Sequence, residues 1–253
     1  MIVVSGHSKW ANIKHRKAAQ DSKRGNLFQK LVKAVIIAAK EGGGDPAMNM
    51  RLKAAIDRAK AASVPNDNII RGIKRGTGEI EGAQYEEITY EIYGPSGVAI
   101  LLEVLTDNRN RTASEFRALL TRNGGALGES GSVAWMFERK GVAEVSGKDL
   151  DEEAMMTAVL EAGAEDLERQ DDGYLVYSDS SIVNDVKESL EKAGYEVVRA
   201  DSEMVPKNLV LVDSKEKAGK VLRLIDLLEE HDDTQNVYAN FDIPDEIMDS
   251  LEE

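Results

Sequence analysis

The sequence predicts an α+β multidomain protein: an N-terminal small helical bundle followed by two ferredoxin-like α/β domains, one inserted in the other. Three observations carry this. Apolar residues recur at helical spacing through the first 80 positions, they switch to strict alternation after Gly82, and a βαββαβ order follows between residues 140 and 205. The predicted boundaries are 1–80 for the helical domain, 81–139 plus 206–253 for a discontinuous α+β domain, and 140–205 for the inserted domain.

Each element has a local reason. In NLFQKLVKAVIIAAKEGGG, Leu27, Phe28, Leu31, Val32, Val35, Ile36 and Ala39 form one stripe, and Gly42–Gly44 end it. Asp45 and Pro46 offer an N-cap and a first-turn proline for the next helix. That helix sets Leu52, Ala55, Ile56 and Ala59 against Arg51, Lys53, Arg58 and Lys60 on the wet side, and a short helix follows around Asn68–Lys74. Ile88, Tyr90 and Ile92 then alternate up to a Gly-Pro-Ser-Gly turn, and Val98, Ile100, Leu102 and Val104 alternate after it, a hairpin with one buried face. A helix is predicted over 112–122, with Thr112 and Glu115 at capping-box spacing. SVAWMFE reads as the next strand. The inserted unit reads as strand 141–146, helix 151–162, two strands around Asp171-Asp172-Gly173, helix 180–193 and a closing strand. Strand NLVLVD, helix 215–230 and strand NVYANFD are predicted to complete the first sheet.

Composition narrows the function. There is no cysteine among 253 residues, which excludes disulfides, thiol catalysis and cysteine-ligated zinc. No apolar run approaches the roughly 18–20 residues that span a bilayer, and the first residues lack the apolar core of about 7–15 residues of a secretory signal. The expectation is a soluble, cytoplasmic protein with no membrane partner. Net charge is −14, but it is segregated: residues 1–80 hold 16 Lys and Arg against 6 Asp and Glu, and residues 81–253 hold 16 against 40. Such polarity suits one module that faces an anionic partner and a body that repels it.

The basic charge is densest in GHSKWANIKHRKAAQDSKRG, with Lys9, Lys14, Arg16, Lys17, Lys23 and Arg24 around His7, His15 and Trp10. Lys and Arg at this spacing neutralise phosphates, and Trp10 or a neutral histidine can stack on bases; a solvated helix face with Trp10 as a core anchor is the plain alternative. A second candidate is TDNRNRT, where Arg109 and Arg111 lie at a strand-to-helix junction with Asn108 and Asn110 as neutral donors. Its alternative is that Asp107 or Thr112 caps the helix while the arginines pair with nearby acids. NGGALGESGS lacks the Gly-Lys-Ser/Thr ending of a phosphate loop and reads as a turn-forming connection. EEHDD could hold a hard cation, or be a solvated helix end where His231 complements the C-terminus. His7 and His15 lack a third metal ligand nearby. No nucleophile–base pair or HExxH motif appears, so the chain reads as a non-enzyme, with no cofactor, metal or small-molecule substrate.

GHSKWANIKHRKAAQDSKRG, GGGDP, DNRNRT, GGALGESGSVAWMF, VLEAGAED, DDGY and LRLIDLLEEHDDTQNVYANFDIP run in the order of the YebC family, and the sequence resembles that family over nearly its whole length. The mitochondrial translational activator of cytochrome oxidase belongs to the same group. The resemblance implies three domains and a non-enzymatic role, with Gly6, His7, Ser8, Lys9, Trp10, Lys14, His15, Arg16 and Lys17 as nucleic-acid contacts. Bacterial members carry the label of DNA-binding transcriptional regulators. As an alternative, the resemblance implies a ribosome-associated factor, with the ribosome and transfer RNA as partners, that helps difficult sequences such as proline runs through synthesis. The partner is thus nucleic acid, DNA or RNA. A third reading, of another class, is an acidic protein-interaction scaffold.

Overall fold

The computed structural model describes residues 21–147, 150–170 and 172–252, with side chains from residue 25 to 251. By internal contacts they form two compact units, one of residues 21–133 with 214–237 and one of residues 134–213 with 238–252.

The first unit begins with helices α1 (Asp21–Gly42), α2 (Met50–Ala61) and α3 (Asn66–Gly76). Val35, Ala38, Ala39, Leu52, Ala55, Ile56, Ala59, Val64 and Ile69 form their shared core. Leu27, placed in the stripe by spacing, is 46% exposed, whereas Ile36 and Ile37 are buried outside that core, so α1 is enclosed on more than one side in its C-terminal half. The N-cap of α2 is Asn49 rather than Asp45. Its Oδ1 accepts from Leu52 N at 3.0 Å while its Nδ2 donates to Ala38 O and Gly43 O, both at 2.8 Å. An amide can accept and donate at once, so Asn49 caps α2 and satisfies terminal carbonyls of α1 together. A carboxylate could do only the first. Asp45 instead turns the chain by accepting from Ala47 N at 2.9 Å.

Helix α3 lies close on α1 because Gly72 and Gly76, four residues apart, face it. A Cβ at Gly76 would sit 2.3 Å from Ile36 O and 2.6 Å from Ala39 Cβ, both on a rigid helix. Gly76→Ala is therefore expected to destabilise the protein by about 1–3 kcal/mol through overpacking, despite alanine's better helix propensity. Urea unfolding of the variant checks this, and a stability equal to the parent's would show that α3 can shift at no cost.

The rest of this unit is a four-stranded sheet ordered β3-β1-β2-β9, where β1 is Glu86–Tyr93, β2 Ala99–Thr106, β3 Ala126–Leu127 and β9 Thr234–Ala239. The β1–β2 hairpin pairs Glu86 with Thr106 and Tyr93 with Ala99 through a turn at Pro95–Gly97, as its alternation predicts. One detail differs. Strand β2 is buried on both faces, Leu101 and Leu105 as fully as Ile100 and Leu102, whereas its neighbour β1, equally interior to the sheet, is largely exposed on one face. So β2 is covered by packing on both sides of the sheet rather than by its place in the strand order. Helix α4 (Arg109–Arg122) follows β2, and its buried Phe116 meets Tyr90 of β1 edge-on at 5.5 Å.

In the second unit, β4 (Phe137–Ser146), α5 (Glu152–Glu161), β5 (Asp166–Gln170), β6 (Gly173–Asp179), α6 (Val183–Lys192) and β7 (Glu196–Pro206) form the expected βαββαβ sequence. The sheet order is β5-β6-β4-β7, antiparallel throughout, the split βαβ arrangement. Ala143, Val145, Tyr174 and Val176 meet Met155, Val159, Val186 and Leu190 of the helices in one core. SVAWMFE is not one strand: Ala134–Met136 is a 3-10 turn, and only Phe137 onward enters β4. Strand β8 (Val210–Leu211) does not complete the first sheet either, but pairs in parallel with β10 (Phe241–Asp242). Of the closing segments, helix α7 (Lys215–Glu230) follows the prediction, but NVYANFD is not one strand: its first part lies in β9, which joins the first sheet, and Phe241–Asp242 forms β10 beside β8. Helix α8 (Asp245–Glu252) ends the described chain.

Candidate nucleic-acid interface

Residues Gly6, His7, Ser8, Lys9, Trp10, Lys14, His15, Arg16 and Lys17 lie outside the described residues. Lys23 and Arg24 fall on the first turns of α1, their side chains likewise outside the description. What is described of the basic module is its helical body. Arg51, Lys53, Arg58 and Lys60 of α2 are exposed, as their spacing predicts, and so are Arg71, Lys74 and Arg75 of α3. Arg51 is held by Glu41 and Glu87.

TDNRNRT has a different character. Helix α4 starts at Arg109, one turn earlier than the capping-box spacing suggests, and its N-cap is Asn108, whose Oδ1 accepts from Arg111 N at 3.1 Å. Arg109 is 63% exposed at its side chain and pairs with Glu86 at 3.3 Å. Arg111, its side chain 45% exposed, is held by two acids: its Nη2 donates to Asp107 Oδ1 and to Asp233 Oδ2, each at 3.0 Å. Thr112 is fully buried in the first turn and donates to Asp233 Oδ2 at 2.7 Å, while its oxygen meets that of Thr106 at 2.8 Å. The partner of Glu115 is His231, not the helix backbone.

Asp233, within EEHDD, is the hub of this arrangement. Its side chain is 5% exposed, and its second oxygen accepts from Lys33 Nζ of α1 at 2.7 Å. Burial alone would raise its carboxyl pKa; the hydrogen bonds from Lys33 and Thr112, the Lys33 charge and the Arg111 hydrogen bond outweigh burial and hold it at about 2. The backbone joins in, since Leu105 N donates to Asp233 O at 2.8 Å and Asp233 N donates to His231 Nδ1 at 3.2 Å. With Nδ1 accepting, Nε2 carries the proton of a neutral imidazole and donates to Glu115 Oε2 at 3.1 Å. The ring rests on Phe116, centroids 4.3 Å apart. EEHDD is therefore no solvated helix end. It ties α1, β2 and α4 to the end of α7.

Glu115, His231 and Asp233 could by spacing hold a metal ion. Their chemistry argues against it. Both oxygens of Asp233 are engaged by donors, two of them cationic, and a divalent ion there would face Lys33 and Arg111.

The glycine-rich loop also closes on the chain itself. The carboxylate of Glu91, buried on β1, accepts from Gly131 N at 2.6 Å and Val133 N at 2.7 Å, and Glu91 O accepts from Gly128 N at 2.7 Å. Gly131 takes a positive φ of 83° to aim its N–H. Sequence reasoning passed over Glu91, and the signal for it lay in pairing an acid inside an apolar strand with amide-rich NGGALGESGS.

The architecture is an α+β fold, a helical N-terminal region followed by sheet-containing domains. The model of the TACO1/YebC protein N-terminal domain matches residues 8–79, and that of the TACO1/YebC second and third domain matches residues 85–241. The chain belongs to the TACO1/YebC family. It is 56% identical over 252 residues to a probable transcriptional regulatory protein of Halothermothrix orenii, covering 99% of this chain and 100% of that one. It is 58% identical over 252 residues to a probable transcriptional regulatory protein of Moorella thermoacetica, covering 98% and 100%. Among solved structures, a conserved hypothetical protein from Aquifex aeolicus superposes with a TM-score of 0.82 at 46% identity, over 90% of this chain and 94% of that one. Among the described residues, no helix is long and apolar enough to cross a membrane.

Proposed function

We propose that the protein is a non-enzymatic, nucleic-acid-binding regulator of gene expression that contacts phosphates through its basic N-terminal module, residues 1–80. The observation that carries this reading is the segregation of charge: 16 basic residues against 6 acidic in the module, 16 against 40 in the rest. A polyanion is attracted to one end of such a molecule and repelled by the remainder. The name shared by the relatives from Halothermothrix orenii and Moorella thermoacetica, probable transcriptional regulatory protein, supports a role in transcription. The contacts we assign are Gly6, His7, Ser8, Lys9, Trp10, Lys14, His15, Arg16, Lys17, Lys23 and Arg24. Arg109 is their nearest rival in TDNRNRT, since Arg111 is spent on Asp107 and Asp233.

Replacing Lys14, Arg16 and Lys17 with Ala is expected to weaken binding to DNA or RNA probes. It should also flatten the salt dependence by roughly 0.7–0.9 of a slope unit for each lost phosphate contact. Binding measured across a salt series checks this, and an unchanged slope would remove these residues from the interface. Running duplex DNA and single-stranded RNA side by side separates a transcriptional role from a ribosome-directed one, because irregular RNA rewards stacking by Trp10 and shape over groove reading.

A further inference from the structure

Arg71, Lys74 and Arg75 occupy one outward face of α3, at the i, i+3 and i+4 positions that neighbour one another on a helix. All three are exposed, and among the described residues none makes an ion pair or a side-chain hydrogen bond. Some exposed cations of other helices are matched within their own helix, Lys187 with Glu191, Lys192 with Glu188, and Lys220 with Glu216, each four residues apart. Lys53, Lys60, Arg117, Arg122 and Arg223 are exposed without such a match among the described residues but are not grouped three to a face as on α3. Asp67 stands four residues before Arg71, yet no bridge joins them. Arg71 and Arg75 are themselves a like-charge pair at i, i+4, an arrangement that weakens an isolated helix. The helix dipole accounts for cations in the last turn, where Lys74 and Arg75 lie, but not for Arg71. Beside them Ile70 is 43% exposed, an apolar contact within the charged face. The opposite side of α3 is locked on α1 through Gly72 and Gly76, so the face is held at a fixed orientation on the module.

From these observations we infer that the outward face of α3 is a second phosphate-binding surface, with Arg71, Lys74 and Arg75 gripping the backbone of a nucleic acid that the N-terminal segment also engages. The inference rests on the reading of the module as a nucleic-acid-binding element and adds a second place of contact. Its logic is that of phosphate recognition: three unneutralised cations on a rigid helix replace condensed counterions along a strand, and the contact is independent of base sequence. Two points of attachment on one small module fix the orientation of the strand, which a single cationic segment cannot do.

The test uses the full-length chain with Arg71, Lys74 and Arg75 changed to Gln, and reads binding to a short duplex DNA and to a single-stranded RNA across a salt series. The slope of log affinity against log salt is expected to fall by about two to three units, the release of three phosphate contacts. A slope equal to the parent's, in a variant with the parent's circular dichroism, overturns the inference. A second measurement does not depend on the triple variant folding: p-benzoylphenylalanine placed at Ile70 is expected to crosslink to the bound probe on irradiation, and no crosslink from a binding-competent protein overturns the inference as well. The two readings fail differently. If the parent binds neither probe with any salt dependence, the nucleic-acid reading falls and this inference with it. If the Lys14, Arg16 and Lys17 variant flattens the slope while the α3 variant leaves it unchanged, only the second surface is lost.

Discussion

Asp233→Ala is expected to lower the stability of the unit it belongs to by about 3–5 kcal/mol, the cost of breaking a buried ion pair from one side. The loss comes chiefly from what remains. Lys33, whose side chain is 13% exposed, would keep its charge without the carboxylate, and the buried Thr112 hydroxyl would lose its acceptor. Because Asp233 joins α1, α4 and the β9 end of α7, amides along α1 should lose hydrogen-exchange protection together with those of α4. Urea unfolding measures the size of the effect, and a loss below about 1 kcal/mol would show that the pair behaves as a surface bridge. Asp233→Asn keeps the shape but not the charge, so it should fall between the two. The pH dependence has a definite sign. The folded pKa of about 2 lies below the ordinary value of 3.8, so this stabilisation is complete above roughly pH 4 and is lost as pH falls toward 2. A difference of nearly two pKa units corresponds to about 2 kcal/mol over that window. The Asn variant should lack that part of the parent's acid sensitivity.

Glu91→Ala is the second large effect, at about 2–5 kcal/mol. The carboxylate satisfies the backbone N–H groups of Gly131 and Val133, and Val133 is fully buried, so truncation leaves donors without an acceptor at about 1–3 kcal/mol each. The expected readout is a lowered urea midpoint together with fast exchange of the two amides. Glu91→Gln, which keeps one carbonyl oxygen, should recover part of the loss. If Glu91→Ala unfolds at the parent's midpoint, the loop is held by other means and the carboxylate cradle has no structural weight.

Local pattern made much of this fold legible. The hairpin of β1 and β2, the core face of α2 and the βαββαβ order all follow from periodicity, which is a property of neighbouring residues. What escaped depends on distant pairing. Asn49 could be chosen over Asp45 only by knowing that the carbonyls of Ala38 and Gly43 end beside it. Strand β8 has the composition of a sheet member, but which sheet it joins is decided by Phe241 and Asp242. Leu101 and Leu105 look like outward positions of a half-buried strand until both faces of β2 are seen to be covered.

The candidate site divides in the same way. The charge of the module was plain in the sequence, and so was the exposure of Lys53 and Lys60. The alternatives at TDNRNRT were not resolvable there, since Arg111 is neutralised in part by a carboxylate 122 residues away. Asp233 and Glu91 gave no local signal because an acid is recognised as structural only through the donors around it. Arg71, Lys74 and Arg75 are the converse: the sequence shows three cations, and the structure adds that no described carboxylate answers them.

The most direct test of the central claim is ultraviolet crosslinking of the protein in cells, with the attached nucleic acid sequenced and the crosslinked peptides identified by mass spectrometry. The account predicts crosslinked peptides from residues 6–80, concentrated in the segment from Gly6 to Arg24 and on α3, carrying either promoter DNA or ribosomal and transfer RNA. Crosslinks confined to residues 81–253, or the recovery of no nucleic acid from a protein present in quantity, would contradict it.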